Sequence, residues 1–299
     1  MKNKVKFLTI LMAAALAACS SSTASSETEK DDTSSGETAQ ETVKEETDEV
    51  TFEQFTAIDN EACSIAITDI KPDALFGYTV KTLMENKSDK TLMFAAESAS
   101  VNGVQCDPLF ASEIAAGKKS NEDITFADSA LKNNGIDRFT DIEIVFRVYD
   151  SEDWSADPVV YESVHVYPFG EDKAETFVRQ PADSDTVLAD NDDVSVIVTG
   201  YDPDNMWGYT VNMYILNKSD KRLMVSIEDA SVNGFMADPF FATSVNPQRC
   251  EFTSVSWTDS ALEENGISEV EEIEFSLIVH DYDDYMADPV VSQTVTLKP

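Results

Sequence analysis

Two acidic loops carry the residues whose type and spacing come nearest to metal chemistry. The first loop contains Asp150, Glu152, Asp153 and Asp157, and the second contains Asp281, Asp283, Asp284 and Asp288. The two loops repeat one spacing of four carboxylates, and Ca²⁺ takes about six to eight oxygen ligands from such clusters. The pattern therefore raises a Ca²⁺-site hypothesis. The alternative is a solvated hairpin loop in which an Asp-Pro pair starts the next strand, since the glycine and distal glutamate of an EF-hand are missing.

Aromatic residues are the second kind of candidate, because exposed rings can anchor a protein partner or stack on a sugar. Trp154 and Tyr285 follow the third acid of the two acidic loops. A second set comprises Phe76 and Tyr78 with their counterparts Trp207 and Tyr209. Gly77 and Gly208 fit a bend at the start of a strand, and the tyrosines fall on an apolar face. We therefore predict that the second set belongs to the core, with partner contact as the alternative.

Catalytic motifs are missing from the sequence: it has no G-x-S-x-G, no phosphate loop and no H-E-x-x-H. The two histidines, His165 and His280, fall in predicted strands and define no triad. Carboxylates are so abundant that close pairs arise without purpose, and a glycosidase would also need a carbohydrate cleft. We predict that the protein is not an enzyme.

Three cysteines, Cys63, Cys106 and Cys250, lie beyond the N-terminal segment. They form no Cys-x-x-Cys pair and no Cys/His cluster, so a zinc site is not predicted. An odd number leaves at least one thiol unpaired, and the sequence leaves open whether Cys63 and Cys106 are bridged.

The N-terminus has the pattern of a secretion signal. Three lysines precede a short apolar run that ends at Ala18, too short to span a bilayer. Its last residues, Leu16-Ala17-Ala18-Cys19, are similar to a bacterial lipobox, which implies removal of residues 1–18 and lipidation of Cys19. An ordinary signal peptide with an incidental cysteine is the alternative. A lipidated Cys19 would hold the protein in the membrane, on the extracellular face of the cytoplasmic membrane.

The remainder of the chain divides into a tether and an internal repeat. Residues 19–50 are rich in Ser, Thr, Glu, Asp and Lys and are predicted to be a disordered acidic tether. Residues 61–168 align with 192–299 without a gap, as when Gly77-Tyr78-Thr79-Val80 matches Gly208-Tyr209-Thr210-Val211. We therefore expect a first repeat at 51–168, a linker at 169–184 and a second repeat at 185–299.

Apolar residues alternate with polar ones within each repeat, which is the period of β-strands. Strands are predicted near 63–70, 76–86, 91–101, 104–110, 121–127, 141–150 and 159–167. A short helix is predicted at 128–134, ended by Gly135, and Asn102-Gly103 predicts a hairpin turn. The predicted fold class is all-β, with two tandem immunoglobulin-like β-sandwich domains; a small barrel is the alternative.

The charge balance excludes some partners. The chain has 57 Asp and Glu against 21 Lys and Arg, a net charge of −36. Phosphate backbones and anionic lipid surfaces need concentrated positive charge, so no nucleic-acid partner is expected. The acidity itself favours solubility.

The lipobox, the acidic tether and repeats bearing Ser-Val-Asn-Gly, Asp-Ser-Ala-Leu and Asn-Gly-Ile resemble uncharacterised tandem-repeat lipoproteins of Gram-positive anaerobic bacteria. The resemblance implies immunoglobulin-like domains, surface exposure and binding rather than catalysis, and it supplies no ligand or site residues. We expect a lipid-anchored cell-surface module that binds an unknown protein or glycan, with duplication raising avidity. The alternatives are a structural spacer or envelope-assembly factor and a secreted hydrolase.

Overall fold

Two β-sandwiches are built from the two repeats of the chain. The computed structural model describes residues 50–239 and 241–299. The predicted signal peptide, the lipidation site Cys19 and the predicted tether up to residue 49 lie outside the described residues. No helix in the described part of the chain has the length and apolarity that a membrane span requires.

The first repeat contains nine strands and one short helix. They are β1 (Phe55–Asp59), β2 (Cys63–Ala74), β3 (Gly77–Asn86), β4 (Leu92–Val101), β5 (Val104–Gln105), β6 (Ala111–Ile114), β7 (Lys119–Phe126), α1 (Ser129–Asn133), β8 (Ile142–Asp150) and β9 (Val160–Val166). A 3₁₀ turn at Glu171–Lys173 follows.

The second repeat contains the same elements in the same order. They are β10 (Thr186–Asp190), β11 (Val194–Asp202), β12 (Tyr209–Asn217), β13 (Leu223–Val232), β14 (Phe235–Met236), β15 (Ala242–Val245), β16 (Cys250–Trp257), α2 (Asp259–Glu264), β17 (Ile273–Asp281) and β18 (Val291–Leu297).

Strand pairing gives each repeat the immunoglobulin-type arrangement. In the first repeat one sheet has the order β1-β2-β3-β7, while β4, β8 and β9 pair in the facing sheet. If β2 is equated with strand A, the pairs β3–β7 and β4–β8 correspond to B–E and C–F of an immunoglobulin domain. The prediction of an all-β fold with tandem immunoglobulin-like sandwiches is therefore confirmed.

The alternating apolar residues fill the space between the sheets. Ile142, Ile144, Phe146 and Val148 on β8 are fully buried, whereas the residues between them are half-buried. Burial of one such side chain stabilises the fold by about 1.5–3 kcal/mol. The second repeat has its own core, to which Ile273, Phe275, Leu277 and Val279 belong.

The hairpin and short-helix predictions agree with the structure, whereas one strand prediction does not. Asn102 and Gly103 both have positive φ in the turn between β4 and β5, and Gly135 has φ +79° just after α1. The predicted strand at 104–110 is wrong, since pairing stops after Gln105 and resumes at Ala111. Strand β1 was not predicted, because it is a largely exposed edge strand with little apolar alternation.

The two sandwiches share one continuous sheet. Strand β16 of the second repeat pairs in parallel with β5 of the first, giving a nine-stranded sheet in which β16 and β5 are neighbours. The amide of Cys250 donates to the carbonyl of Gly103 at 3.1 Å. All described residues belong to a single compact unit. The repeats are thus joined by backbone hydrogen bonding as well as by covalent connection.

Side chains on the second repeat make this contact, which we call the seam, and their counterparts in the first repeat do not suit it. Ile197, Tyr214, Leu216 and Phe252 pack against the core of the first repeat, together with Cys250. The equivalent residues of the first repeat are Ala66, Leu83, Glu85, Asn121 and Lys119. Larger and more apolar side chains have therefore been placed on one copy only, at the face that the other copy covers.

Polar contacts fix the direction of approach at the seam. The guanidinium of Arg249 donates to the carboxylate of Glu143 at 2.7 Å. Gln105 donates to the carbonyl of Ser244 at 2.7 Å and accepts from the amide of Asn246 at 3.0 Å. Burial alone would raise the pKa of Glu143, but hydrogen bonds from Ser163 and Arg249 hold it below its ordinary value. Glu143 is therefore ionised in a partly buried ion pair.

The segment predicted to be a linker packs along the same seam. The amide of Phe177 donates to the carbonyl of Asn102 at 2.8 Å, and its ring meets that of Phe252 edge-on at 5.7 Å. Arg179 pairs with Asp185 through two hydrogen bonds of 2.6 and 2.7 Å, which lower the pKa of Asp185 to about 2. These contacts hold the connection between the repeats in place.

One half-buried carboxyl at the seam makes stability depend on pH. Burial raises the pKa of Glu251 from 4.5 to about 7, and nearby Asp107 adds to the effect, although Thr243 donates to the carboxylate at 2.8 Å. The unfolded chain releases this proton near pH 4.5 and the folded chain near pH 7. Between those values the folded state binds more protons, so stability falls as the pH rises.

We predict that Glu251→Gln removes the fall in stability with rising pH that Glu251 causes, because the amide cannot ionise. The unfolding free energy of the variant should equal that of the parent near pH 4.5 and exceed it by up to about 3 kcal/mol at pH 8. Urea unfolding at a series of pH values measures the difference. The exposed Glu228→Gln serves as the control, and parallel pH profiles for parent and Glu251→Gln would contradict the assignment.

Candidate functional site

An exposed apolar pair lies at the same turn in both repeats. Leu75 and Phe76 are the two residues of the tight turn between β2 and β3, and Met206 and Trp207 are their counterparts between β11 and β12. All four side chains are exposed, with Phe76 at 81% and Trp207 at 69%. Exposed large apolar side chains at matched positions indicate an interaction surface. We call these two segments the apolar turns.

A glycine after each pair forces the turn outward. Gly77 has φ +122° and Gly208 has φ +101°, conformations that L-residues with side chains rarely adopt. A Cβ on Gly77 would collide with the carbonyl oxygen of Phe126, and a Cβ on Gly208 would collide with that of Trp257 and lie 2.8 Å from Cα of Thr258. Each glycine therefore lets the first residues of a strand approach the end of the neighbouring strand.

Two residues after each glycine, a hydrogen bond between side-chain hydroxyls holds the two neighbouring strands together. Thr79 and Thr125 share a hydrogen bond of 2.9 Å between β3 and β7, and Thr210 and Ser256 share one of 2.7 Å between β12 and β16. The base of each apolar turn is thus fixed to two strands. Side chains presented on such a base need little further ordering when a partner binds.

The prediction that both aromatic pairs belong to the core is half right. Tyr78 and Tyr209 are buried, but Phe76 and Trp207 point into solvent. The prediction extended the strand alternation through residues 76 and 207, whereas the chain turns there. Leu75 and Met206 were not identified at all, although a large apolar pair directly before a strand-entry glycine in both repeats was a usable signal.

A shallow groove borders the first apolar turn. It has a volume of about 490 Å³ and runs between Phe76 and the start of α1, where Asp128 and Lys132 lie. Lys132 and Asp128 form an ion pair of 2.7 Å. The first apolar turn therefore offers an apolar ridge beside a polar groove.

The two acidic loops lie at the opposite end of each sandwich, after β8 and after β17. The first acid of each loop is paired with a lysine: Asp150 with Lys90 at 2.6 Å and Asp281 with Lys221 at 2.7 Å. Hydrogen bonding from these lysines holds the pKa of both aspartates below the ordinary value. The remaining acids, Glu152, Asp153, Asp157, Asp283, Asp284 and Asp288, are exposed.

Loop geometry explains much of the acidic pattern without a metal. Asp150 accepts from the amide of Glu152 at 3.0 Å, and Asp281 accepts from the amide of Asp283 at 3.0 Å, as in Asx turns. Within residues 50–239 and 241–299, no three His, Cys, Asp or Glu side chains are grouped so that they could hold one metal ion. The Ca²⁺ hypothesis gains no support from this geometry.

Trp154 and Tyr285 are exposed in the acidic loops, as contact residues would be. The carbonyl of Trp154 accepts from Arg147 at 2.8 Å, and the ring of Tyr285 lies 4.4 Å from that of His280. The two aromatics therefore have different neighbours in the two repeats. The thiols of Cys63, Cys106 and Cys250 are free, so Cys63 and Cys106 are not joined by a disulfide.

Comparisons with known proteins add little to this geometry. No protein-family model and no curated protein matches the sequence. Among solved structures, the chain is similar to the Salmonella enterica SafA pilin in complex with the SafB chaperone, at 9% identity and a TM-score of 0.23, covering 81% of this chain and 99% of that one.

Two further structures show similar levels of likeness. One is the YadV chaperone, at 11% identity and a TM-score of 0.19, covering 74% of this chain and 92% of that one. The other is a Porphyromonas gingivalis W83 protein of unknown function, at 13% identity and a TM-score of 0.20, covering 74% of this chain and 90% of that one. At these TM-scores the likenesses carry no argument about function, and the fold class follows from the strand pairing.

We predict that Gly208→Ala destabilises the second repeat by about 2–4 kcal/mol, since the methyl group must displace backbone and φ must change. Gly200→Ala is the matched control, because a Cβ there meets nothing within 4 Å and φ is not in the left-handed region. It should change the unfolding free energy by less than about 1 kcal/mol. Thermal unfolding of both variants measures this; equal effects would show that the close approach is not a constraint.

Proposed function

We propose that the protein is a non-catalytic surface module that binds a protein partner through its two apolar turns. The observation that carries this proposal is the exposure of Leu75-Phe76 and Met206-Trp207 at one position of both repeats. A core explanation does not apply to exposed side chains, and a rigid base reduces the entropy that binding must overcome. Two such sites on one chain would raise the avidity for a partner with repeated sites.

The proposed location is the extracellular face of the cytoplasmic membrane, with the lipid on Cys19 as anchor. Its support is the lipobox pattern and the acidic sequence that follows it. Glycan binding is a less favoured variant of the same function, because each turn pairs its ring with a bulky aliphatic or thioether side chain.

A spacer is the second candidate function, and the seam favours it. Backbone pairing between β5 and β16 joins the sandwiches in a fixed arrangement, as a spacer would require. A spacer needs no exposed apolar pair, however, so the apolar turns decide between the two candidates. Nothing in the described residues singles out a catalytic pair, and we do not propose a hydrolase.

We predict that the double variant Phe76→Ser, Trp207→Ser loses partner capture. Quantitative affinity capture from cell-surface extracts, followed by direct binding of the recovered protein, should show at least about tenfold weaker binding, because hot-spot aromatics each contribute about 2 kcal/mol or more. The matched control is Trp154→Ser, Tyr285→Ser, which removes two exposed aromatics from the acidic loops. Equal binding by parent and Phe76→Ser, Trp207→Ser would leave the spacer as the better assignment.

We predict that Cys19→Ser releases the protein from membranes. Cys19 is the lipidation site that the lipobox pattern offers, and more than one acyl chain on it would give stable anchoring. Detergent phase partitioning of cell fractions measures the effect, with Cys63→Ser as the control. Retention of Cys19→Ser in the detergent phase would contradict a lipoprotein.

A further inference from the structure

The second repeat contains a cleft that differs from the equivalent region of the first. It has a volume of about 740 Å³ and opens between α2 and the segment that leads into β17. Tyr209, Leu262, Ile267 and Val270 form its apolar floor. This size lies within the range of about 300–1,000 Å³ that ligand pockets of proteins commonly have.

A phenylalanine fills the corresponding space in the first repeat. Phe139 occupies the position of Val270 and stacks on Tyr78, with ring centroids 4.6 Å apart. Phe139 is 2% exposed. Val270 is too small to reach the ring of Tyr209 in the same way, so the second repeat has open space where the first has a packed ring.

The charge of the residues around the cleft, which we call the rim, also differs between the two repeats. Glu263 stands where the first repeat has Lys132, and Glu269 stands where it has Arg138, while Asp259 matches Asp128. All three carboxylates line the cleft and are exposed. Two reversals from positive to negative leave an acidic rim around an apolar floor.

One asparagine in each repeat holds the segment that leads into β8 or β17 by the same hydrogen bond. Asn102 donates to the carbonyl of Arg138 at 2.8 Å, and Asn233 donates to that of Glu269 at 2.7 Å. The side-chain oxygen of Asn233 also accepts from the amides of Glu271 and Glu272, at 2.9 and 3.0 Å. Residues 138 and 139 and their counterparts 269 and 270 therefore lie in a segment that is held in a similar way in both repeats.

The floor of the cleft includes an aromatic ring. Tyr209 is 9% exposed and lines the cleft. The ring contacts Tyr201 on one side at 6.5 Å, and the cleft lies on another, where a ligand could engage the hydroxyl and the ring face.

We propose that this cleft binds the side chain of a lysine or arginine in a partner peptide, with an apolar neighbour of that residue on the floor. The carboxylates of the rim complement an ammonium or guanidinium group, and the hydroxyl and ring of Tyr209 provide further contacts to a cation. The first repeat does not bind this ligand, because Phe139 fills the space and Lys132 and Arg138 stand in place of two rim carboxylates.

The test uses three probes titrated into the full chain by calorimetry and ligand-observed NMR. They are acetyl-Leu-Lys-Leu-amide, its norleucine analogue acetyl-Leu-Nle-Leu-amide, and spermidine. The lysine peptide should bind, about tenfold more tightly than the norleucine peptide, and its affinity should fall as salt is raised. Spermidine should bind more weakly than the lysine peptide, because it lacks the apolar neighbours.

Variants that import residues of the first repeat test the site. Val270→Phe should restore the packed ring and reduce lysine-peptide affinity by at least about tenfold. The pair Glu263→Lys, Glu269→Arg should have a similar effect through the rim alone, with no change in the floor. The control Asp283→Lys, Asp284→Lys makes the same change in net charge at the opposite end of the sandwich and should leave binding unchanged.

Several results would overturn the proposal. They are no binding of the lysine peptide at millimolar concentration, equal binding of the norleucine peptide, and equal binding by the parent and both cleft variants. Spermidine binding as tight as that of the lysine peptide would overturn the peptide assignment in favour of a free amine. The apolar-turn proposal is unaffected by these outcomes, because partner capture there does not depend on Val270 or the rim.

Discussion

The close approach of Gly208 to the carbonyl of Trp257 is the constraint on which both candidate surfaces of the second repeat depend. The residues before the glycine, Met206 and Trp207, are turned outward by it, and the residue after it, Tyr209, enters the core. The same arrangement holds Phe76 and Tyr78 on either side of Gly77. In each repeat a glycine, whose backbone packs against the neighbouring strand, thus lies between an exposed aromatic ring and a buried one.

The two copies have diverged at particular faces rather than evenly. Core residues such as Phe146 and Leu277 occupy matched positions and remain apolar. At the seam, Tyr214 and Phe252 replace Leu83 and Asn121, because only the second copy presents that face to a neighbour. The differences between the copies therefore match what each face contacts. The same holds at the cleft, where Val270 in place of Phe139 opens space, and Glu263 and Glu269 reverse the charge of their counterparts.

Much of the fold could be predicted from the sequence because strand alternation and turn residues are local signals. The alternation on β8, the Asn102-Gly103 turn and the glycine after α1 all act over a few residues. The seam could not be predicted in the same way, since the pairing of β16 with β5 depends on which faces meet. The replacement of Lys119 by Cys250 and Asn121 by Phe252 was nevertheless visible as an apolar change on a strand.

The candidate site was predicted less well, for a physical reason. Alternation assigns Phe76 to a strand only if the strand continues, and the positive φ of Gly77 ends that continuity. The acidic loops are conspicuous in the sequence because of their charge. Asp150 is nevertheless paired with a lysine from the loop between β3 and β4, and Asp281 with one from the loop between β12 and β13. In a chain of net charge −36, acidic residues of an open loop are therefore weak markers of a site. Exposed apolar residues at a fixed turn are stronger ones, because their exposure carries a free-energy cost that a purely structural role would not require.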